Sequence, residues 1–396
     1  MTRKGLFITF EGIGPTIFDS QVALHAREMK KHGIELEIWA FETWPRMFAQ
    51  SKARLDSAQE LSQSKVRLFR GLFYYIPFSE TINALLLAYY LWRFRPSVNF
   101  IHARADYAAT VSGIASKFLR IPIIWDCRGD AEAEFKTAYR PANFSGRLFK
   151  RLFLRLIRWR THFAASTCAK AIFVSEELRK RKWRYADQKP SKIIPTSVTQ
   201  DTFFFSPELR QDTRSRLGFT PELRILLYSG GMVGYQHFAE YVRMFSALQQ
   251  DDSNLHFLVV TPHVERAQQM LQELPQGSWT LHPAPFREMN AYYNAADFGV
   301  LLRERNAVND VASPTKFGEY CLTGLPVIMN DSVKQSFQFA LELGNLIPYR
   351  DNLSANDLVL RTTKERVRIS RKSAEMLSRE STAARYRSIY DFGSNL

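Results

Sequence analysis

Between Arg303 and Ile328 the chain reads RERNAVNDVASPTKFGEYCLTGLPVI. The apolar run Phe298–Leu302 before it reads as a strand, and Ser313 and Pro314 suit the N-cap and first position of a helix over about Thr315–Leu322. A helix that opens at the carboxyl end of a parallel strand offers amide N–H groups and a positive dipole end to an anion. Lys316 adds a full charge in the first turn, beside the hydroxyls of Ser313 and Thr315. Glu319, three residues further on, lies near the face that carries Lys316, and a carboxylate can accept both hydroxyls of a ribose. The chemistry on offer is recognition of a phosphate and a ribose, although an ordinary capped helix with a solvated Glu319 has the same composition.

Other residues sit where strands end. Asp126 and Arg128 close one apolar run, Glu132 and Glu134 follow them, and His102 closes another. Any of the three acids could accept a proton from a hydroxyl nucleophile, while paired carboxylates also suit a solvated helix face and His102 a satisfied core position. Gly12 and Gly14, after the first apolar run, fit either a backbone cradle for a phosphate or a tight turn. His25, His32, His162 and His237 have no partner that spacing can name. No His, Cys, Asp or Glu spacing describes a metal site, so none is expected, and helix dipole plus cations would carry the charge of a bound phosphate.

The elements that must position these residues alternate. Strand-like runs at Gly5–Phe10, Leu36–Phe41, Val98–His102, Ile121–Asp126 and Lys170–Ser175 are interleaved with helical segments such as Asp19–His32 and Tyr107–Leu119. A second series follows at Ile225–Ser229, His256–Thr261, Trp279–Pro283, Phe298–Leu302 and Pro326–Met329. Such alternation predicts an α/β chain of two Rossmann-like domains with parallel sheets, facing each other across a cleft, since ligands bind beyond the carboxyl ends of parallel strands. At 396 residues, with 45% hydrophobic and 23% charged residues, the chain is not disordered, fibrous or multi-pass. Its net charge of +15 is lopsided: residues 1–200 hold 33 Lys and Arg against 17 Asp and Glu, residues 201–396 hold 21 against 22. The first half should therefore meet something anionic. Leu72–Trp92, charged only at Glu80, reads as a buried or interfacial hairpin of helices.

SPTKFGEYCLTGLPVI resembles the nucleotide-sugar signature of GT-B fold glycosyltransferases, particularly family 4. The likeness runs along nearly the whole chain: Phe7–Gly14 with Asp19–Leu24, FIHAR at Phe100–Arg104, IPIIWDCRG at Ile121–Gly129, AIFVSEEL at Ala171–Leu178, Ile193–Val198 as the hinge, LLYSGG at Leu226–Gly231 and Met289–Asp297. It implies an acceptor-binding domain over 1–198, with a C-terminal helix (378–396) packing back on it, and a donor-binding domain over 199–377. It further implies hexosyl transfer from UDP or GDP with retention and without a metal, and Glu319 as the ribose ligand. This chain departs from the pattern in three places. The family's second Glu falls at Val311, with Glu304 or Asp310 as substitutes, and its diphosphate-clamping cations fall at Met232 and Gln236. Lys316, Arg303, Arg305 or Arg128, with the Gly230-Gly231 backbone, would then meet the diphosphate.

Phe135–Ser175 holds nine basic and no acidic residues. In its GRLFKRLFLRLIRWR stretch, Arg147, Lys150, Arg151, Arg155 and Arg158 share one helical face, while Phe149, Leu152, Phe153, Leu156, Ile157 and Trp159 share the other. That pattern suits a helix on an anionic membrane, and Arg179–Arg184 adds to the same half. A buried helix with a basic solvated side is the alternative. No secretory cleavage motif follows Met1, and three cysteines (Cys127, Cys168, Cys321) lack redox spacing. These features predict a cytoplasmic protein, peripheral on the inner membrane face; the resemblance implies a glycan or lipid-linked acceptor in cell-surface polysaccharide synthesis. The alternatives are a non-catalytic membrane or nucleic-acid binder, for which no recognition motif appears, an inverting transferase, and a sugar-nucleotide epimerase.

Overall fold

The computed structural model describes residues 3–14, 17–117, 120–183, 189–232, 238–283 and 286–392; Leu119, Arg184, Gln236 and His237 lie outside them. The chain forms two compact units, Met1–Pro195 with Thr382–Leu396, and Thr196–Ser381. Both are α/β, each built on a parallel sheet.

The first sheet has the order β3-β2-β1-β4-β5-β6-β7. Its strands are β1 (Arg3–Thr9), β2 (Ile34–Glu42), β3 (Val66–Arg70), β4 (Phe100–Arg104), β5 (Ile123–Cys127), β6 (Lys170–Phe173) and β7 (Ser191–Ile193). Every residue of β4 and β5 is buried, as expected of central parallel strands covered on both faces. They run in register, with Arg104 opposite Asp126, so both strands deliver polar residues at the same carboxyl end. The Asp19–His32 segment opens as a π-helical turn, Phe18–Ala23, before settling into an α-helix over Leu24–Lys31. At the far end of the chain the helix Arg379–Ile389 brings Tyr386, Ile389 and Tyr390 onto the core formed by Phe7, Phe100 and Ile124.

Leu72–Trp92 is not a hairpin of helices. A single helix, Ser79–Phe94, occupies its second part, because Pro77 disfavours helical geometry at Ile76 and Phe78 sits in the left-handed region at φ 61°. The preceding strand-to-helix stretch folds onto it through Asn83, whose amide donates to the Leu72 carbonyl (2.9 Å) and accepts from its N–H (2.8 Å).

The second sheet has the order β10-β9-β8-β11-β12-β13. It contains β8 (Arg224–Ser229), β9 (Leu255–Val260), β10 (Trp279–His282), β11 (Phe298–Leu301), β12 (Val327–Met329) and β13 (Leu346–Pro348). Alternation along the strands feeds two cores. Leu226, Tyr228, Phe257 and Val259 enter one, and Ile225, Leu227, Leu258 and Val260 the other, the period-2 consequence of the pleat.

Candidate functional site

In the second unit the expected helix is present over Thr315–Leu322, but it is not capped as the sequence suggests. Pro314 holds the N-cap position, and the Ser313 hydroxyl instead accepts from the Thr196 N–H at 2.9 Å. Proline has no donor and no side-chain acceptor, so the opening turn relies on backbone alone and directs the positive end of its dipole outward.

Lys316 lies over the loop after β8. Its Nζ is 4.9 Å from the centre of the Tyr228 ring, and a Cβ on Gly230 would approach that Nζ to 2.7 Å. Gly230 has φ +113°, a conformation that only glycine adopts comfortably. Its N–H donates to the Val260 carbonyl (2.9 Å), and the Tyr228 hydroxyl donates to the Gly231 carbonyl. The loop is thus held from beneath while its upper side faces the ammonium. Burial, then the nearby Arg303 guanidinium, pushes the Lys316 amine down to about 7, against the pull of Glu319.

Glu319 is buried, and its Oε2 accepts a 2.7 Å hydrogen bond from Tyr293. The Tyr293 hydroxyl lies 3.1 Å from Ser229 Oγ, which is equally close to the Tyr320 hydroxyl. Burial pushes the Glu319 carboxyl above its ordinary value, opposed by Tyr293 and Lys316. Oε1 makes no hydrogen bond among the described residues. Tyr293 and Ser229 come from distant segments, so sequence spacing carried no signal of them.

Arg303 follows β11 and is buried, its N–H and carbonyl both held by the Asn330 side chain (3.4 and 2.8 Å). Glu304 is exposed and accepts from Asn306 (3.0 Å), and Arg305 pairs with Asp331 (2.7 Å). Val311 is core, and Asp310 lies 3.6 Å from Lys334. At Met232 the backbone N–H donates to His263 Nδ1, and Arg266 Nη1 donates to its carbonyl, both at 3.2 Å. Arg266 is therefore a cation beside this loop that sequence reasoning missed, because it stands on the Val264–Leu271 helix.

In the first unit, Asp126 and His102 belong to one buried relay. Asp126 Oδ2 lies 3.1 Å from His102 Nε2, His102 Nδ1 lies 2.8 Å from the Tyr390 hydroxyl, and that hydroxyl lies 2.8 Å from His25 Nε2. Burial opposes the charge on Asp126, but Arg128, His102 and Arg104 outweigh it and hold the carboxyl far below its ordinary range. An ionised Asp126 only accepts, so His102 carries its proton on Nε2, Tyr390 donates to His102 and His25 donates to Tyr390. His102 is thus a satisfied core histidine, one of the two readings the sequence allows, and His25 finds in Tyr390 a partner that spacing could not name. Arg128 lies 3.5 Å from Asp126 and donates to Gln21 (3.0 Å), which also accepts from Arg104 (2.8 Å).

Glu132 and Glu134 part company. Glu132 binds Arg158 and Lys136, both at 2.7 Å, and the Arg158 hydrogen bonds hold its carboxyl down at about 2. Such a group is a poor base, and its ion pairs fit the helix-face reading of Glu132. Glu134 instead lines a cavity of ≈ 430 Å³ with Tyr74, Tyr75, Phe135, Glu11 and Asp106. Burial in this pocket, with Asp106 and Asp130 near, pushes its carboxyl upward. Ala105, also in the wall, has φ +67°, a strained conformation for a residue with a Cβ.

Gly12 is not a phosphate cradle. Its N–H donates to the Phe41 carbonyl at 3.1 Å, and at φ +65° a Cβ would strike Glu42 Oε2. Gly14 faces open space. The basic helix extends over Phe144–Thr167 and divides otherwise than expected. Phe153 and Ile157 are core, whereas Leu148, Phe149, Leu152 and Trp159 are exposed. Lys150 turns inward to the carbonyls of Lys136 (3.0 Å) and Tyr139 (2.7 Å), and Arg158 serves Glu132, leaving Arg147, Arg151 and Arg155 outside.

No protein-family model matches the chain, and no curated protein matches it by sequence. Solved structures do match over its whole length. Sucrose-phosphate synthase from Thermosynechococcus elongatus aligns at a TM-score of 0.64 and 15% identity, covering 98% of each chain. HepE from Anabaena, determined in complex with UDP and glucose, aligns at 0.67 and 14%, again with 98% of each chain. A UDP-N-acetylglucosamine 2-epimerase from Listeria monocytogenes aligns at 0.57 and 12%, covering 98% of this chain and 95% of that one. The chain has the GT-B, glycosyltransferase-like fold.

Proposed function

We propose that this protein is a glycosyltransferase of family 4 type, moving a hexose with retention from a nucleotide diphosphate donor to a glycan or lipid-linked acceptor. The observation that carries the reading is Glu319, braced by Tyr293, one helical turn from Lys316 over the Gly230-Gly231 loop. UDP is the favoured nucleotide, because HepE was captured with UDP at full-length likeness.

In this reading Glu319 Oε1 receives the ribose hydroxyls. Lys316, the opening turn of its helix and Arg303 meet the diphosphate and stabilise the charge that develops as the sugar leaves, with no metal required. A diphosphate oxygen takes the proton of the acceptor hydroxyl, which is consistent with the absence of a carboxylate at Val311. The acceptor enters the aromatic cavity beside Glu134. The protein works on the cytoplasmic face of the membrane in polysaccharide assembly, with the basic Phe144–Thr167 helix toward anionic lipid. Nucleic acid is not its partner.

Calorimetric titration with UDP, GDP and their sugar conjugates, repeated on Glu319→Ala, tests this. Micromolar binding of one nucleotide that the variant abolishes supports the donor site, and no nucleotide binding by folded protein overturns it. The Listeria likeness supports one competing reading, an epimerase. Conversion of UDP-N-acetylglucosamine without any acceptor would favour that instead.

A further inference from the structure

The helices Ser79–Phe94 and Phe144–Thr167 both pack on the Ala105–Ser116 helix, and an Arg160–Glu80 ion pair joins them directly. The first buries Glu80, Asn83, Ala84, Leu87 and Leu91. Its opposite side carries Phe78, Ile82, Leu85, Tyr89 and Trp92, spaced 4-3-4-3, with Phe78 78%, Leu85 63% and Trp92 61% exposed. That spacing lines Ile82, Leu85, Tyr89 and Trp92 along one continuous stripe, with Phe78 at the N-cap beside its start. Phe78 is held outward by a left-handed backbone at φ 61°, a costly conformation for a bulky residue. The second helix adds Leu148, Leu152 and Trp159 on the side opposite Phe153 and Ile157.

Charge decides what covers these stripes. The two helices contain a single carboxylate, Glu80, which is buried against Arg160. Arg93, Arg95, Arg147, Arg151 and Arg155 are exposed and make no ion pair among the described residues. Every charge that the two helices themselves expose is positive. A second copy of this chain would set arginine against arginine, whereas anionic headgroups above acyl chains match both features.

We propose that the Ser79–Phe94 and Phe144–Thr167 helices form one docking face for an anionic lipid bilayer, with the apolar stripes seated among the upper acyl segments and the arginines at the headgroups. This deepens the membrane partner proposed above and is independent of donor binding. Co-sedimentation of the full chain with vesicles of phosphatidylcholine, alone or mixed with phosphatidylglycerol, tests it. Binding to the anionic vesicles, weakened by salt, is expected. Leu85→Glu with Trp92→Glu, and separately Arg151→Ala with Arg155→Ala, should each lower partitioning about tenfold or more. All four side chains are exposed, and unchanged UDP affinity in the variants would report an intact fold. Trp92 fluorescence should shift blue with anionic vesicles. Absence of vesicle binding at low salt overturns the proposal whether or not UDP binds. So does a concentration-dependent dimer that Leu85→Glu dissolves, which would give the stripe to a second copy.

Discussion

The Tyr293 hydroxyl donates a 2.7 Å hydrogen bond to Glu319 Oε2, and both groups are buried. The carboxylate is therefore aimed before any ligand arrives. Tyr293→Phe removes the donor and leaves a buried charge one bond short, at a cost of about 1–3 kcal/mol in stability. Nucleotide affinity should fall about tenfold as Glu319 loses its fixed rotamer, measured by chemical denaturation and calorimetry. Unchanged affinity would show that Tyr293 does not orient Glu319.

Lys316 should make diphosphate binding pH-dependent. With the amine pushed down to about 7 in the free protein, a bound diphosphate raises it again, so binding takes up a proton above neutrality. UDP affinity should then decline as pH rises from 7 to 9, approaching about tenfold per unit at the upper end. Lys316→Met should flatten that slope. Titrations in buffers of different ionisation enthalpy count the proton directly.

Gly230→Ala puts a methyl 2.7 Å from Lys316 Nζ and forces a side chain into φ +113°. We expect UDP affinity to fall about as far as in Lys316→Met, with an added loss of about 1–3 kcal/mol from the strained backbone. Gly218→Ala, also at positive φ but with open space around it, controls for strain alone and should leave UDP affinity unchanged.

Tyr390→Phe cuts the relay in the middle, leaving His102 without its donor and His25 without its acceptor. The first unit should lose about 2–4 kcal/mol. Acid should act on the same place. Burial lowers the His102 pKa below its ordinary value despite Asp126, so the unfolded chain binds the proton more readily. That contribution is intact above about pH 6.5 and is lost as pH falls below it. Denaturation midpoints across pH 5 to 8 should therefore drop toward the acid end, and less steeply in His102→Gln.

Glu134 and Glu132 make a matched pair of tests in one helix. Glu132→Gln loses only exposed ion pairs and should leave turnover unchanged, with stability altered by less than about 1 kcal/mol. Glu134→Gln changes the wall of the cavity and should raise KM for the acceptor while UDP binding stays constant. Equal effects of the two would remove the cavity from the acceptor's path.

The central strands are legible in the sequence because fully buried parallel strands read as nearly continuous apolar runs, as in Phe298–Leu301 and Ile225–Ser229. The edge strands β3, β7 and β13 are not, since Val66–Arg70 carries two arginines and the other two are short and mostly not buried. Lys316 and Glu319 are legible as a pair because one helix carries both. Tyr293, Ser229 and Arg266 are invisible to spacing, since the fold alone brings them near. The basic helix misled for a related reason: a wheel separates charged from apolar faces but does not say which apolar residues a neighbouring helix will cover.

The Tyr390 bond also bears on the order in which the chain acquires its structure. The second unit is one uninterrupted segment, Thr196–Ser381, whereas the first is completed only by Thr382–Leu396. On a ribosome, residues 1–195 emerge early yet lack the hydroxyl that satisfies both His102 and His25. They must wait, with a polar gap in their core, while the whole of the second unit is made. A nascent chain stalled before Tyr390 would hold a finished second unit behind an unfinished first one, and chaperones would find their substrate at the amino-terminal end.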